Sequence, residues 1–337
     1  MIITRTPFRV SFIGGGSDLK EFYSNTPGAV LSTTINKYMY INSHPFFNRR
    51  AFQLKYSKTE LVESLDGIQH PIFREVLRKF GIHGGVEISS IADIPAGTGL
   101  GSSSAFTVGL IHNIHTFKSR YIRKHKLAEE ACELEIDILK EPIGKQDQYA
   151  SSFGNLNVIE FLQDGNVRVE PVTISSENKK LLQQNILMFY TKSQRSASKI
   201  LKKQRYFMAD SDKYGLIKEM IPYVYKLRDA FYQEQFDYLG EVLHIGWCLK
   251  KKITKEISNE NIDRYYNAAL KAGAIGGKLL GAGGGGFLLF YCPLKKQKKL
   301  RQALDDLFEL KFSFEYEGSK VIYIGENDGD GETGFFE

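Results

Sequence analysis

The stretch Pro95-Ala96-Gly97-Thr98-Gly99-Leu100-Gly101-Ser102-Ser103-Ser104-Ala105, followed directly by an apolar segment from Phe106 to Ile114, constrains this chain more than any other feature. Glycine tolerates φ > 0 and lets backbone N–H groups come close to a ligand. The apolar run reads as a helix, and a helix start presents unpaired N–H groups and the positive end of its macrodipole. A glycine loop that opens a helix in this way is suited to phosphate. The three serines can cap the helix or reach a metal ion that the phosphate carries. A flexible Gly/Ser turn is the plainer reading of a shorter piece. Proline before, glycine at alternating positions and an apolar helix after favour a nucleotide triphosphate site.

Neither common phosphate signature fits. A P-loop needs Lys and then Ser or Thr after its last glycine, whereas Gly101 is followed by Ser102. Gly277-Lys278 continues with Leu279, and Ala272 stands where the first P-loop glycine belongs. Gly281-Ala282-Gly283-Gly284-Gly285-Gly286 spells G-x-G-x-x-G, but Phe287 to Tyr291 after it reads as a strand, not as the helix that a Rossmann loop opens. This second glycine turn is either packed against the nucleotide loop or simply tight.

Residues 8–13 alternate as a half-buried strand, with Phe8, Val10 and Phe12 on one face and Arg9, Ser11 and Ile13 on the other. The strand runs into Gly14-Gly15-Gly16-Ser17-Asp18, a turn that delivers the carboxylate of Asp18. Residues 29–42 and 86–91 read as further strands, so the N-terminal half is α+β. Leu127, Ala131, Leu134 and Ile138 recur at three- and four-residue steps, which predicts an amphipathic helix over 126–140 that ends before Pro142. Glu135 lies at the edge of its apolar stripe. Twelve residues later comes Asp147 in Gly144-Lys145-Gln146-Asp147, close enough for both carboxylates to enter one cleft. A hairpin is expected around Asp164-Gly165-Asn166, a buried strand at 186–190 and long helices from about 193 to 272. A domain boundary is expected near residue 180, dividing the chain into 1–180 and 181–337.

The 337 residues carry a net charge of +6 with scattered cations, and the densest group, Lys295, Lys296, Lys298, Lys299 and Arg301, reads as a solvated helix face. It implies no nucleic-acid partner. Cys132, Cys248 and Cys292 are far apart and form no metal-ligand pattern. The start of the chain lacks an apolar signal region, and the longest apolar run is far too short to span a membrane. The default expectation is a cytoplasmic enzyme with no membrane partner.

Three segments resemble the signature motifs of the GHMP kinase superfamily: Thr6 to Gly14, Pro95 to Ala105 and Lys278 to Gly286. The resemblance implies a two-domain GHMP kinase fold, with an N-terminal domain like domain 2 of ribosomal protein S5, a ferredoxin-like C-terminal domain and the active site between them. It implies ATP and Mg²⁺. By the same resemblance the loop from Pro95 through Gly97, Thr98, Gly99, Leu100, Gly101, Ser102, Ser103 and Ser104 wraps the triphosphate. Ser103 or Ser102, with Glu135, holds Mg²⁺; Asp147 is the carboxylate that takes the acceptor's proton; and Arg9 lies near the transferring phosphate.

Galactokinases carry Gly-Glu-His where this chain has Gly14-Gly15-Gly16, which argues against galactose. Ser11 to Asp18, Gly144 to Ala150 and Arg195-Ser196-Ala197 are most similar to the bacterial D-glycero-D-manno-heptose 7-phosphate kinases, with Lys192 where that group is expected to carry glycine. The resemblance implies phosphorylation of the anomeric hydroxyl to give the 1,7-bisphosphate, a step toward nucleotide-activated heptose for surface polysaccharides. It assigns sugar contacts to Gly15, Gly16, Ser17, Asp18, Gly283 and Gly284, with Lys145 and Arg195 as candidates for the distal phosphate. A related anomeric kinase for L-fucose or a similar sugar, and a sugar and ATP sensor without catalysis, are the competing readings. A small-molecule sugar phosphate is the expected partner; a homodimer is left open.

Overall fold

A computed structural model describes residues 1–193 and 210–325. Arg195 lies outside the described residues. Among those described, strands β1 (Ile2–Ile13), β2 (Gly28–Pro45), β3 (Phe52–Lys55), β4 (Thr59–Val62), β5 (Val86–Ala92), β6 (Leu156–Phe161) and β7 (Val167–Pro171) build the larger sheet. β1 and β2 form a long antiparallel ribbon that sets Phe8 opposite Ile35 and Arg9 opposite Thr34. β3 runs parallel to β5, and β6 pairs with both β2 and β7, the hairpin expected around Gly165. The smaller sheet takes β8 (Ile186–Tyr190), β9 (Gly276–Leu279), β10 (Phe287–Tyr291) and β11 (Phe308–Glu309) in the antiparallel order β11-β8-β10-β9. The chain then returns, and β12 (Phe314–Glu315) pairs with β2 while β13 (Lys320–Ile324) pairs with β1.

Helices α1 (Lys20–Tyr23), α2 (Pro71–Lys79), α3 (Ser102–Phe117), α4 (Lys124–Cys132), α5 (Gln146–Phe153) and α6 (Ser176–Gln184) belong to the first half of the chain. α7 (Ser211–Tyr232), α8 (Tyr238–Ile253), α9 (Glu260–Ala272) and α10 (Gln297–Ala303) belong to the second. α3 is buried along Ser104 to Ile111 because it is apolar nearly all round, which only a central helix satisfies. It packs on β1 and β2. None of the helices among the described residues is long and apolar enough to cross a membrane.

Two expectations change. The strand at residues 8–13 is buried on both faces, because α3 packs against β1 and α8 approaches it from the second half of the chain. One core cluster therefore runs from Phe8 and Val10 through Trp247 to Leu288. The single helix expected over 126–140 is α4 continued by a π-helical turn, Glu133–Ile138. A π turn holds an extra residue per turn and rotates the residues beyond it about the helix axis. It carries Glu135 from the edge of the stripe into the interior, where it is 1% exposed.

Candidate active site

A cavity of about 250 Å³ lies where the glycine loop, the end of β1, the start of α5 and the second half of the chain meet. Alternation along β1 turns Arg9 and Ser11 into it while Phe8, Val10 and Phe12 join the core. Arg9 is buried and grips Asp147 with both ends of its fork, Nε donating to Oδ1 and an Nη to Oδ2, each at 2.7 Å. Paired charged hydrogen bonds of this kind fix direction as well as distance. Asp147 sits in the first turn of α5, where the helix dipole favours a carboxylate. A further Arg9 Nη donates to the carbonyl of Gly99 at 2.5 Å, tying the pair to the glycine loop.

Gly97, Gly99 and Gly101 all adopt positive φ, and Gly101 is the N-cap of α3. Gly97, Gly99, Gly101, Ser102, Ser103 and Ser104 line the cavity; Pro95, Thr98 and Leu100 do not. Leu100 is a core residue, and the Thr98 hydroxyl donates to the Pro95 carbonyl at 3.0 Å, so these three shape the loop from behind. The second glycine turn packs directly on the first. A Cβ on Gly281 would stand 2.4 Å from the Gly99 Cα, and one on Gly99 would stand 2.4 Å from the Leu280 carbonyl oxygen. Of the two readings left open for that turn, close packing is the one observed.

Glu135 faces the same cavity. It accepts from the Ser103 hydroxyl at 3.1 Å and the Gln148 amide at 2.6 Å, with Ser104 also bonded to it. Burial pushes its carboxyl up to about 7 against those neutral donors, and the nearby Asp147 adds to the push. A buried carboxylate held only by neutral groups, beside a serine hydroxyl, fits a hard divalent cation. The folded state thus holds a proton that an unfolded chain releases, and stability contributed by that proton is lost as pH rises from the ordinary 4.5 through about 7. We expect Glu135→Gln to stabilise metal-free protein at pH 8 by on the order of 3 kcal/mol, seen as a higher melting temperature, and by much less at pH 5. Equal effects in melts at the two pH values would contradict this.

Asp18 is buried at the mouth of the Gly14 turn and accepts from the N–H of Gly16 at 2.9 Å and of Gln146 at 3.3 Å. Burial, then the nearby Asp147 charge, raises its carboxyl above the usual carboxylate range. Its seat depends on Gly144, where a Cβ would fall 2.0 Å from Asp18 Oδ2. Gly15 and Gly16 line the cavity with it. Ser11 Oγ and Gln146 Oε1, also in the lining, are buried with no hydrogen-bond partner among the described residues, so polar atoms entering the cavity find partners there.

Four expected contacts are not brought to the cavity. Ser17 is fully buried, its hydroxyl donating to the Gly14 carbonyl and accepting from the Ala29 N–H, which closes the turn from inside. Lys145 is turned away: its Nζ donates to the Gly165 carbonyl at 2.6 Å and lies 4.8 Å from the centre of the Tyr23 ring, a cation–π seat. Gly283 and Gly284 pack against Ile257, whose carbonyl accepts from the Gly284 N–H. Lys192 adopts φ +56°, the left-handed conformation that glycine favours. In turn, Lys250, Lys278 and Gln146 line the cavity although no contact is expected of them from the sequence; Lys278 and Gln146 fall within the motif segments, and Lys250 falls in none. Lys250 falls on the buried stripe of α8 with Val242, Leu243, Gly246 and Ile253, and a lysine in an apolar stripe is the signal that could have found it.

Comparison with known proteins agrees with this architecture. Residues 67–155 match the GHMP kinases N terminal domain and residues 227–310 the GHMP kinases C terminal domain. The chain is 28% identical to the D-glycero-alpha-D-manno-heptose 7-phosphate kinase of Campylobacter jejuni, over 95% of this chain and 98% of the relative. It is 24% identical to the galactokinase of Pyrococcus furiosus, over 98% and 99%. The crystal structure of a D-glycero-D-manno-heptose 1-phosphate kinase from Bacteroides thetaiotaomicron superposes with a TM-score of 0.79 over 97% of this chain and all of that one, at 23% identity. The chain therefore belongs to the GHMP kinases and is an ATP-dependent phosphotransferase of that fold.

Proposed function

We propose that this protein transfers the γ-phosphoryl group of ATP to the anomeric hydroxyl of D-glycero-D-manno-heptose 7-phosphate, giving the 1,7-bisphosphate. The observation that carries the transfer is the two-point Arg9–Asp147 pair, set against the glycine loop and opening on the same cavity as Asp18. The choice of heptose is supported by the nearly full-length likeness to the Campylobacter kinase. Such a product suits activation of heptose for surface polysaccharides, in the cytoplasm where ATP is made. The division into domains near residue 180 is part of the same proposal, with β12 and β13 returning to the first sheet.

The residues divide the work. Backbone N–H groups from Gly97 to Ser104 and the start of α3 hold the triphosphate. Ser103, with Ser102 beside it, and Glu135 hold Mg²⁺, which supplies charge neutralisation on the phosphates. Asp18 orients sugar hydroxyls. The anomeric oxygen attacks the γ-phosphorus and its proton passes to the Asp147 carboxylate. The bond from phosphorus to the bridging oxygen breaks, and ADP leaves with that electron pair. Arg9 aims Asp147 and offsets charge on the moving group.

One observation favours a second reading. Lys145, one of the two cations expected at a distal phosphate, is turned to Gly165 and away from the cavity, while the other, Arg195, lies outside the described residues; a site without Lys145 suits an unphosphorylated sugar such as L-fucose. ADP release measured over a panel of sugars and sugar phosphates separates the readings. We expect kcat/KM for heptose 7-phosphate to exceed that for unphosphorylated heptose or L-fucose by at least about 10²-fold, the discrimination a charged group can supply. Equal values favour the second reading, and saturable ATP binding without any product would indicate a sensor.

A further inference from the structure

The second half of the chain faces the Arg9–Asp147 pair with two lysines. Lys278 on β9 is buried and donates to the carbonyls of Ser11 at 3.0 Å and Phe12 at 3.1 Å, so most of its capacity is used to hold the end of β1. Lys250 on α8 lines the cavity and, among the described residues, makes one hydrogen bond, to the Gly281 carbonyl at 2.5 Å. An ammonium has three N–H donors, so two are left for a ligand. Its tether matters. Gly281 lies against Gly99, and the Gly99 carbonyl accepts from Arg9, so Lys250 and Arg9 are anchored to touching loops on the two sides of one opening.

Two cations lining one cavity repel each other, and an anion bound between them relieves that cost. After burial, Arg9 is the strongest charge acting on Lys250, while Asp18 and Asp147 pull the other way more weakly; on β9, Lys250 and Arg9 in turn push the buried Lys278 ammonium down. Arg9 commits its Nε and one Nη to Asp147 and its other Nη to Gly99, so charge on the nucleotide side of the opening needs a second cation, and Lys250 faces it. We propose that Lys250 binds the phosphoryl group in transfer, opposite Arg9, and stabilises the charge spread over its equatorial oxygens. This rests on the reading that the cavity transfers phosphoryl groups to a sugar. The sugar oxygen still gains the bond to phosphorus and ADP still leaves with the electron pair of the broken one; Lys250 stays protonated and donates hydrogen bonds throughout.

The test compares wild type, Lys250→Met and Lys250→Arg by ADP release with ATP and the sugar that wild type turns over best. For Lys250→Met we expect kcat to fall on the order of 10²-fold, with KM for ATP and sugar within about threefold of wild type. Burial and Arg9 lower the Lys250 ammonium of the free protein to about 8, so wild-type kcat/KM should fall as pH rises through that value. Lys250→Arg should recover part of kcat and lose this alkaline limb. If Lys250→Met does not fold, the Lys250→Arg pH profile decides alone. Unchanged kcat in Lys250→Met, or an alkaline limb kept in Lys250→Arg, would overturn the proposal. So would a loss seen only as raised KM for a sugar phosphate and absent with the unphosphorylated sugar, which would assign Lys250 to the distal phosphate. Product formation by wild type in those cases leaves the kinase reading standing, whereas no product from any sugar removes both.

Discussion

Asp147→Asn is expected to bind ATP like wild type and to lose about 10²–10⁴-fold in kcat. The amide keeps the size of the side chain and one oxygen for the Arg9 fork. Its NH₂ cannot take the acceptor's proton and turns a donor toward an Arg9 donor, now 2.7 Å from the carboxylate oxygen. Loss in kcat with KM for ATP unchanged is the pattern of an interaction made in the transition state. Calorimetric ATP titration and ADP release on the same preparation measure both halves. Full activity would remove Asp147 from the reaction.

Gly99→Ala is expected to lower ATP affinity at least about tenfold and to melt at a lower temperature. Gly99 has φ +88°, a conformation that costs an L-residue about 1–2 kcal/mol. Its new methyl would also stand 2.4 Å from the Leu280 carbonyl oxygen, which is backbone and cannot rotate aside. The loop must therefore shift off the second glycine turn, and Arg9 loses its acceptor at the Gly99 carbonyl. Gly215→Ala is the control. Gly215 lies inside α7 with nothing within 4 Å of its Cβ position, so alanine there should be neutral or gain up to about 1 kcal/mol. Titration and melting of the two variants side by side measure the contrast; unchanged ATP affinity in Gly99→Ala would contradict the loop's role.

Much of the candidate site was legible because it depends on local periodicity. Alternation along residues 8–13 aims Arg9 at the cavity, and the glycine spacing before an apolar helix fixes the loop at Gly97 to Gly101. The features that escaped depend on rotation and reach. The π turn that swings Glu135 inward leaves no trace in the three- and four-residue spacing of Leu127, Ala131 and Leu134. Lys145 precedes Asp147 by two residues, yet its long side chain finds a carbonyl and an aromatic ring on the far side. Lys250 stands in a run of three lysines, and only the apolar stripe of α8 separates it from its exposed-looking neighbours. The return of β12 and β13 to the first sheet is a long-range pairing that short, weakly patterned segments do not announce.

The most direct measurement is phosphorus and proton NMR of the product formed from ATP and heptose 7-phosphate. A kinase acting at the anomeric position gives one new phosphorus resonance coupled to the anomeric proton and one ADP per product, both forming about 10²–10⁴-fold more slowly with Asp147→Asn. A phosphate on any other hydroxyl, or ATP bound with no new resonance, would contradict it.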